Sequence, residues 1–253
     1  MKIKLYGTGS LPAKSSSACA LINREVLFDC PNGLVKKLRS DDLDFNNIRV
    51  IILSHYHADH DWDIPYLFWW KFNQVCREKP LTIIAPKGFE KRHKVLCDMA
   101  WPGMLRYDAI AKIISLEILV AKDKRVFDID GYKIRAYKMD HANCDAYGYR
   151  IEHDGNSVAF TGDSAYCPNI LKLVEGANMA FVDVTGPPPP GLAPLHFDVG
   201  DFERLKSKTT IDLVPTHMND DTRASLKKLG FNPPKDGDEI LIEKENKKEK
   251  QKK

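Results

Sequence analysis

Residues 54–60 read SHYHADH and directly follow the apolar run Val50–Leu53. The chain has 253 residues and eight histidines, and three of these stand in this stretch. Side chains two residues apart in an extended segment point to the same side, so His55 and His57 can face one point. As the chain turns toward a following helix, Asp59 and His60 can face a second point nearby. Imidazole and carboxylate are ligands that Zn²⁺ prefers, so the stretch predicts a metal-binding loop.

Three further candidate ligands follow other predicted strands. His141 comes after the strand predicted at Tyr132–Met139, Asp163 after Ser157–Thr161, and His217 after Ile211–Thr216. In open α/β sheets, ligands bind where strands end and loops begin. Local hydrogen bonding in a polar loop explains a single histidine, but it is a poor explanation for four potential ligands in residues 55–60. The pattern favours two adjacent metal ions.

Short apolar segments alternate with helical patterns along the chain, which indicates an α/β fold. Ile113–Val120 is predicted to be one strand, and Asp154-Gly155 is predicted to be a two-residue hairpin turn. His93 falls in a helical pattern beside Lys91 and Arg92, and we expect it on the solvated surface. No internal repeat and no linker marks a boundary, so we expect a single domain.

Composition and charge exclude several classes of protein. Hydrophobic residues make up 43% of the chain, as in ordinary globular proteins. No apolar run reaches the roughly 20 residues that span a bilayer, and the N-terminus offers no signal-peptide core, so we expect a cytoplasmic protein without a membrane partner. The six cysteines form no C-x-x-C pair and are expected to be reduced thiols.

The C-terminal residues 244–253 carry most of the positive charge. They contain six lysines and two glutamates, which give +4, while the whole chain carries +3. The preceding 243 residues therefore sum to −1. We expect the tail to be charged and disordered, and we expect no basic surface suited to a polyanion on the remainder.

These motifs resemble the metallo-β-lactamase superfamily. Its H-x-H-x-D-H motif matches His55, His57, Asp59 and His60, and its later motifs match His141, the T-G-D segment at Asp163, and His217. The segments Leu5–Ser10, Leu27–Gly33 and Tyr147–Glu152 are similar to its ribonuclease Z-like and cyclic-phosphodiesterase-like branch. The resemblance implies an αββα sandwich that forms one hydrolase domain over residues 1–243.

The resemblance also implies a set of functional residues. His55, His57 and His141 would bind one metal, Asp59, His60 and His217 the other, and Asp163 would bridge them. Asp29 would orient a ligand histidine. The cofactors would be two divalent ions, with Zn²⁺ favoured and Mn²⁺ and Fe²⁺ left open. A bridging hydroxide would attack the substrate, Asp59 would accept a proton, and His196 would protonate the leaving oxygen or hold a phosphate oxygen.

The resemblance favours a phosphodiesterase that acts on a small or cyclic phosphodiester. A ribonuclease Z-type tRNA 3′ endonuclease is an alternative. It is disfavoured because the interval His153–Phe160 is short where such enzymes often carry a long insertion, and because residues 1–243 sum to −1. A carboxylester, lactone or thioester hydrolase and a mononuclear iron oxygenase also remain open. A binding protein that has lost catalysis is disfavoured by the complete ligand set.

The partner is therefore expected to be a small molecule rather than RNA, and the resemblance suggests a homodimer. Trp69 and Trp70 follow the metal motif in the helix predicted at Ile64–Gln74. They are adjacent and cannot both face one core, so the sequence leaves three roles open for this helix: a substrate wall, a subunit contact and packing on the sheet.

Overall fold

Two β-sheets form the centre of the protein. The computed structural model describes residues 1–73, 80–103, 106–188, 190–191 and 193–243, so the predicted tail 244–253 lies outside it. The first sheet has the strand order β13-β1-β2-β3-β4-β5-β6 and the second has the order β12-β11-β10-β9-β8-β7. The strands are β1 Lys2–Gly7, β2 Cys19–Ile22, β3 Val26–Phe28, β4 Val50–Ile52, β5 Leu81–Ala85, β6 Leu116–Val120, β7 Val126–Ile129, β8 Tyr132–Lys138, β9 Tyr147–His153, β10 Asn156–Phe160, β11 Met179–Asp183, β12 Asp212–Thr216 and β13 Glu239–Leu241.

Helices cover the outer faces of both sheets. They are α1 Leu34–Ser40, α2 Ala58–Asp61, α3 Ile64–Asn73, α4 Phe89–Ala100, α5 Tyr107–Ile113, α6 Pro168–Val174, α7 Val199–Lys206 and α8 Asp220–Lys228, with a short 3-10 helix at Phe45–Asn47. Among the described residues no helix is both long enough and apolar enough to cross a bilayer.

Side-chain alternation along the strands builds four layers. In β4, Val50 and Ile52 join the core between the two sheets, whereas Ile51 joins the core under α1, α3, α4 and α5. A third core lies between the second sheet and α6, α7 and α8. This arrangement follows from the period of two along a strand, which sends neighbouring side chains to opposite faces. The predicted αββα sandwich is confirmed.

The strand directions bring the candidate residues to one edge. Strands β3 to β6 run parallel to one another, and so do β10, β11 and β12. Strand β8 is antiparallel to β9, which is antiparallel to β10, so β8 and β10 end on the same side. The loops that leave β4, β8, β10, β11 and β12 therefore meet at the carboxyl edges of the sheets.

Two local predictions have opposite outcomes. Asp154 and Gly155 have φ angles of 51° and 76°, and they join β9 to β10 as the predicted two-residue hairpin turn. The predicted strand Ile113–Val120 is wrong at its start, because Ile113 ends α5 and β6 begins at Leu116. An apolar run without clear periodicity does not distinguish the end of a buried helix from a strand.

Strand β13, close to the end of the described chain, pairs with β1 at its start, with Lys2 opposite Leu241. The first and last strands thus belong to one sheet. We propose on this basis that residues 1–243 form one domain.

Candidate metal centre

The SHYHADH stretch changes conformation at its midpoint. His57 is extended, with φ −76° and ψ 153°, and the four-residue helix α2 begins at Ala58. His55 and His57 therefore precede the turn, while Asp59 and His60 lie on α2. The local geometry is the one expected from the sequence: an extended pair followed by a helical pair.

The Asp163 carboxylate lies at the centre of the candidate ligands. Its Oδ2 lies 3.4 Å from His60 Nε2 and 3.5 Å from His217 Nε2. It also lies 3.9 Å from the Nε2 atoms of both His55 and His141. One carboxylate oxygen thus faces ring nitrogens from both predicted groups.

Potential ligand atoms converge in three overlapping groups, and within each group these atoms lie within 4.8 Å of one another. The groups are His55, His57, His141 and Asp163; Asp59, His60 and His217; and Asp163, Asp183, His196 and His217. The structure thus brings together every residue predicted to bind metal or to act in catalysis.

Buried polar atoms without partners fit divalent cations here. His55 Nε2, His60 Nε2 and Asp163 Oδ1 are buried and make no hydrogen bond. Unpaired buried polar groups are costly, so an array of them fits cations bound at these atoms. Ligand atoms about 2.0 Å from a tetrahedral Zn²⁺ stand about 3.3 Å apart. His217 Nε2 and Asp59 Oδ2 are 3.3 Å apart, and His141 Nε2 and His57 Nδ1 are 3.2 Å apart.

Hydrogen bonds on the opposite ring nitrogens orient the imidazoles. His60 Nδ1 lies 2.8 Å from Asp29 Oδ2, and His141 Nδ1 lies 2.9 Å from the Leu195 carbonyl. His217 Nδ1 lies 2.7 Å from Thr185 Oγ1. Such contacts leave Nε2 directed at the shared centre. Asp29 occupies the orienting position that the family resemblance implied.

Several residues in the loops of the site have unusual backbone conformations. Asp29 and His217 have φ angles of 59° and 51°, in the left-handed region that non-glycine residues rarely adopt. Gly162, next to Asp163, has φ 57°, and a Cβ on it would lie 2.7 Å from Ser54 Cβ. Glycine is therefore required where the Asp163 loop passes over the SHYHADH loop.

Asp183 is a functional candidate that the sequence did not reveal. It is buried at the end of β11, and its Oδ2 lies 2.7 Å from His196 Nδ1. Its Oδ1 accepts a hydrogen bond from Thr185 Oγ1 at 2.8 Å and lies 3.4 Å from His217 Nδ1. Asp183 therefore joins a candidate ligand to the candidate acid. The sequence signal that could have identified it is its position as the last residue of an apolar strand.

The charges of the site depend on one another. Burial alone would lower the pKa of His217, but Asp163 and hydrogen bonds with Asp183 and Asp59 raise it to about 10. Burial would likewise lower the pKa of His196, and the Asp183 carboxylate holds it above its ordinary value. The pKa of His55 falls well below its usual range because of burial and the nearby His60.

His57 lies at the exposed side of the centre, whereas His55, His60, His141 and His217 are buried. Its Nε2 lies 3.2 Å from Cys144 Sγ, and its Nδ1 faces His141. His57 and Cys144 therefore lie at the solvent-facing side of the centre. The five described cysteines, including Cys144, are free thiols.

The surface role expected for His93 is wrong. His93 is fully buried, its Nδ1 contacts the Phe89 carbonyl at 2.9 Å, and its Nε2 lies 3.4 Å from Asp61. Its charged neighbours in the sequence suggested solvent, but a buried carboxylate from a distant segment pairs with it.

The adjacent tryptophans of α3 take different environments. Trp70 packs edge-on against Phe45 beside the helix-covered core, with ring centroids 5.1 Å apart. Trp69 stacks on Trp101 at 4.9 Å, and Tyr66, on the same helix, is exposed. Trp70 thus has a packing role, and Trp69 belongs to a partly exposed aromatic cluster.

Comparison with known proteins places this geometry in a family. A model of the beta-lactamase superfamily domain matches residues 24–218. A ribonuclease Z of Mycolicibacterium gilvum is 29% identical over 189 residues, which cover 70% of this chain and 66% of that protein. The chain thus spans slightly less than two thirds of this relative.

Solved structures share the fold at low sequence identity. The metallo-beta-lactamase fold protein YhfI from Bacillus subtilis superposes with a TM-score of 0.74 at 19% identity, over 94% of this chain and 98% of that one. A diphosphatase from the PhnP family superposes with a TM-score of 0.75 at 16% identity, over 96% and 98% of the two chains. At these identities the likeness shows the fold alone.

Proposed function

The chain belongs to the β-lactamase superfamily, in a ribonuclease Z-like branch of metal-dependent hydrolases, and we propose that it cleaves a small or cyclic phosphodiester at a centre of two divalent cations. The observation that carries this proposal is the position of Asp163 Oδ2, which lies 3.4–3.9 Å from ring nitrogens of both ligand groups. A carboxylate so placed suits a bridging ligand between two cations.

The two cations would occupy adjacent ligand groups. The first cation would be held by His55, His57 and His141. The second would be held by Asp59, His60 and His217, and Asp163 would contact both. Imidazole and carboxylate ligands favour Zn²⁺, with Mn²⁺ and Fe²⁺ as alternatives. Bound there, the cations supply Lewis acidity and lower the pKa of a coordinated water.

His196 supplies a proton to the leaving oxygen in this proposal. Its Nδ1–H donates to Asp183, so Nε2 is the ring atom that exchanges a proton with substrate. The Asp183 carboxylate raises the pKa of His196, which favours the protonated ring that a general acid needs. Asp59, whose pKa is lowered because its bond to His217 outweighs burial, is ionised and accepts the proton of the attacking water.

The choice of a small substrate rests on a short hairpin at the amino end of β10, away from the edge that carries the ligands, and on the net charge of residues 1–243. The hairpin between β9 and β10 turns at Asp154-Gly155, so no insertion extends there to hold a large RNA. Residues 1–243 also carry a net charge of −1, whereas phosphate backbones attract basic surfaces. The ribonuclease Z relative keeps tRNA 3′ cleavage as the second candidate.

A homodimer and a cytoplasmic location stay predictions. Tyr66 on α3 and Val95 and Met99 on α4 are exposed apolar side chains on two helices that pack together. A second copy of the chain that covers this face would account for their exposure. Light scattering of the purified protein measures whether it is a monomer or a dimer.

A substrate screen tests the proposed function. Metal-loaded protein is assayed with bis-p-nitrophenyl phosphate, cyclic nucleotides, a tRNA precursor and a thioester, with Asp163→Asn as the control. We expect the wild type to hydrolyse a small diester fastest and Asp163→Asn to be inactive. Faster cleavage of the tRNA precursor would establish the endonuclease instead, and hydrolysis of the thioester alone would refute phosphodiester chemistry.

A further inference from the structure

A buried carboxylate lies directly beside the candidate ligands without facing the metal centre. Asp61 follows His60 in α2 and is 0% exposed. Its Oδ1 accepts a hydrogen bond from Arg92 Nη2 at 2.9 Å, and its Oδ2 accepts one from Arg92 Nε. His93 Nε2 lies 3.4 Å from the same Oδ2. Asp61, Arg92 and His93 form what we call the α4 clamp, because α4 carries both partners of Asp61.

Helix α2 needs such external contacts because it is only four residues long. A helix of this length contains too few internal hydrogen bonds to hold itself. Its position is therefore set by its neighbours, and with it the directions of Asp59 and His60.

A second carboxylate holds the other end of this segment. Asp63 is buried, and its Oδ2 accepts a hydrogen bond from the backbone N–H of Val35 at 2.9 Å in the first turn of α1. Its own N–H donates to the Cys30 carbonyl at 3.0 Å. Asp61 and Asp63 thus hold the segment between α4 on one side and α1 on the other.

The bidentate form of the Arg92 contact restricts α2 more than a single ion pair would. A planar guanidinium with two parallel hydrogen bonds fixes both the distance and the orientation of the carboxylate. Arg92 also lies over the Tyr56 ring at 5.7 Å, but the Tyr56 hydroxyl is held separately by the Pro86 carbonyl. The clamp therefore acts mainly on α2.

We propose that the α4 clamp positions Asp59 and His60 and thereby sets the affinity of the second cation site. The inference rests on the proposed two-metal centre. Arg92 and Asp61 are positioning residues, since neither belongs to the groups of converging ligand atoms. The first site depends on other contacts, such as that of His141 Nδ1 with the Leu195 carbonyl, so the clamp affects the second site selectively.

Metal affinities of Arg92 variants test the proposal. Metal-free wild type, Arg92→Met and Arg92→Lys are titrated with Zn²⁺ against a chromogenic chelator, and the two dissociation constants are resolved. Arg49→Met is the matched control. Arg49 is half-buried like Arg92, and it forms an ion pair of 3.0 Å with Glu25, remote from the metal centre. Thermal unfolding of each metal-free variant shows whether it folds.

We expect Arg92→Met to lower the affinity of the second site for Zn²⁺ by about tenfold and to leave the affinity of the first site unchanged. Tenfold is the low end of the loss seen when a partner that orients a ligand is removed. Arg92→Lys keeps the charge but loses the two-pronged contact, so it shifts the second constant in the same direction by less. Arg49→Met keeps both constants. If Arg92→Met does not fold, the second dissociation constant of Arg92→Lys tests the proposal instead.

If folded Arg92 variants bind the second ion with wild-type affinity, the α4 clamp does not set the affinity of that site. Equal weakening of both sites would also overturn the proposal, because that result indicates general destabilisation. A wild-type protein that binds only one ion would instead refute the proposed two-metal centre.

Discussion

His196 Nδ1 lies 2.7 Å from Asp183 Oδ2; Asp183 ends β11 at the carboxyl edge of the second sheet, and His196 lies on the long loop that follows. Asp183 is 1% exposed, so this pair is shielded from solvent on the carboxylate side. A buried carboxylate that holds one imidazole nitrogen fixes the tautomer and orientation of the ring. This contact supports the proposed role of His196 in proton transfer.

Replacing His196 by Ala should lower kcat in a way that depends on the leaving group. Loss of a general acid costs about 100- to 10,000-fold when the leaving oxygen needs a proton. We expect a loss of that size for a cyclic nucleotide and a much smaller one for bis-p-nitrophenyl phosphate, because p-nitrophenolate leaves unprotonated. Metal content should not change. Equal losses on both substrates, or loss of metal, would show that His196 is not the acid.

Replacing Asp29 by Asn should weaken metal binding. Asp29 holds His60 Nδ1 at 2.8 Å, and removal of such a partner typically costs about 10- to 100-fold in affinity. Competition with a chelator measures the change. Asp41→Asn is a control, since Asp41 pairs with Lys4 and lies outside the groups of converging ligand atoms. If Asp29→Asn keeps wild-type affinity, Asp29 does not orient a ligand.

Metal binding should release protons near neutral pH. In the metal-free protein the pKa of His217 is about 10, and that of His60 is also raised because Asp163 and Asp29 outweigh burial. His217 is therefore protonated at pH 7.5, the raised pKa of His60 favours its protonated ring as well, and a cation at Nε2 must displace these protons. Calorimetry in buffers of different ionisation enthalpy should give a release of about one to two protons that falls as pH approaches 10. Buffer-independent heats would contradict the assignment.

The same raised pKa values predict how the stability of the metal-free protein depends on pH. A histidine whose pKa is raised by folding adds stability that is fully present below its ordinary pKa and lost as pH rises through the folded value. For His217 this window runs from the ordinary 6.5 to about 10. Chemical denaturation of metal-free protein across this range should show decreasing stability. A His217→Gln variant should lose this part of the decrease.

Replacing Gly162 by Ala should destabilise the protein. A Cβ would lie 2.7 Å from Ser54 Cβ, and the backbone has φ 57°. Strain of this kind costs about 1–3 kcal/mol. Gly230→Ala is the matched control, because Gly230 also has positive φ but nothing lies within 4 Å of its Cβ position. Thermal unfolding should show a larger loss for Gly162→Ala; equal losses would show that close approach to Ser54 is unimportant.

The sequence predicted most of the site because its signals are local. The SHYHADH spacing specifies which side chains precede and follow a turn, and each later candidate ends an apolar strand. Strands β4, β8, β10 and β12 end on the same side of the two sheets and so bring those residues together, whatever the details of the helices.

The missed features depend on contacts between distant segments. Asp183 closes an apolar strand without a motif, and only the folded chain places it beside His196. His93 has charged neighbours, yet Asp61, more than thirty residues earlier in the chain, pairs with it in the interior. The last residue of α5, Ile113, was assigned to a strand because the apolar run of β6 follows closely after it. Periodicity reports which face of an element is buried, and it does not report what covers that face.

Titration of the metal-free protein with Zn²⁺, with bound metal and hydrolysis of bis-p-nitrophenyl phosphate followed together, tests the two-metal centre most directly. The account predicts two bound ions per chain, with turnover appearing mainly as the second site fills. Full activity at one equivalent, or a folded protein that binds no metal, would contradict it.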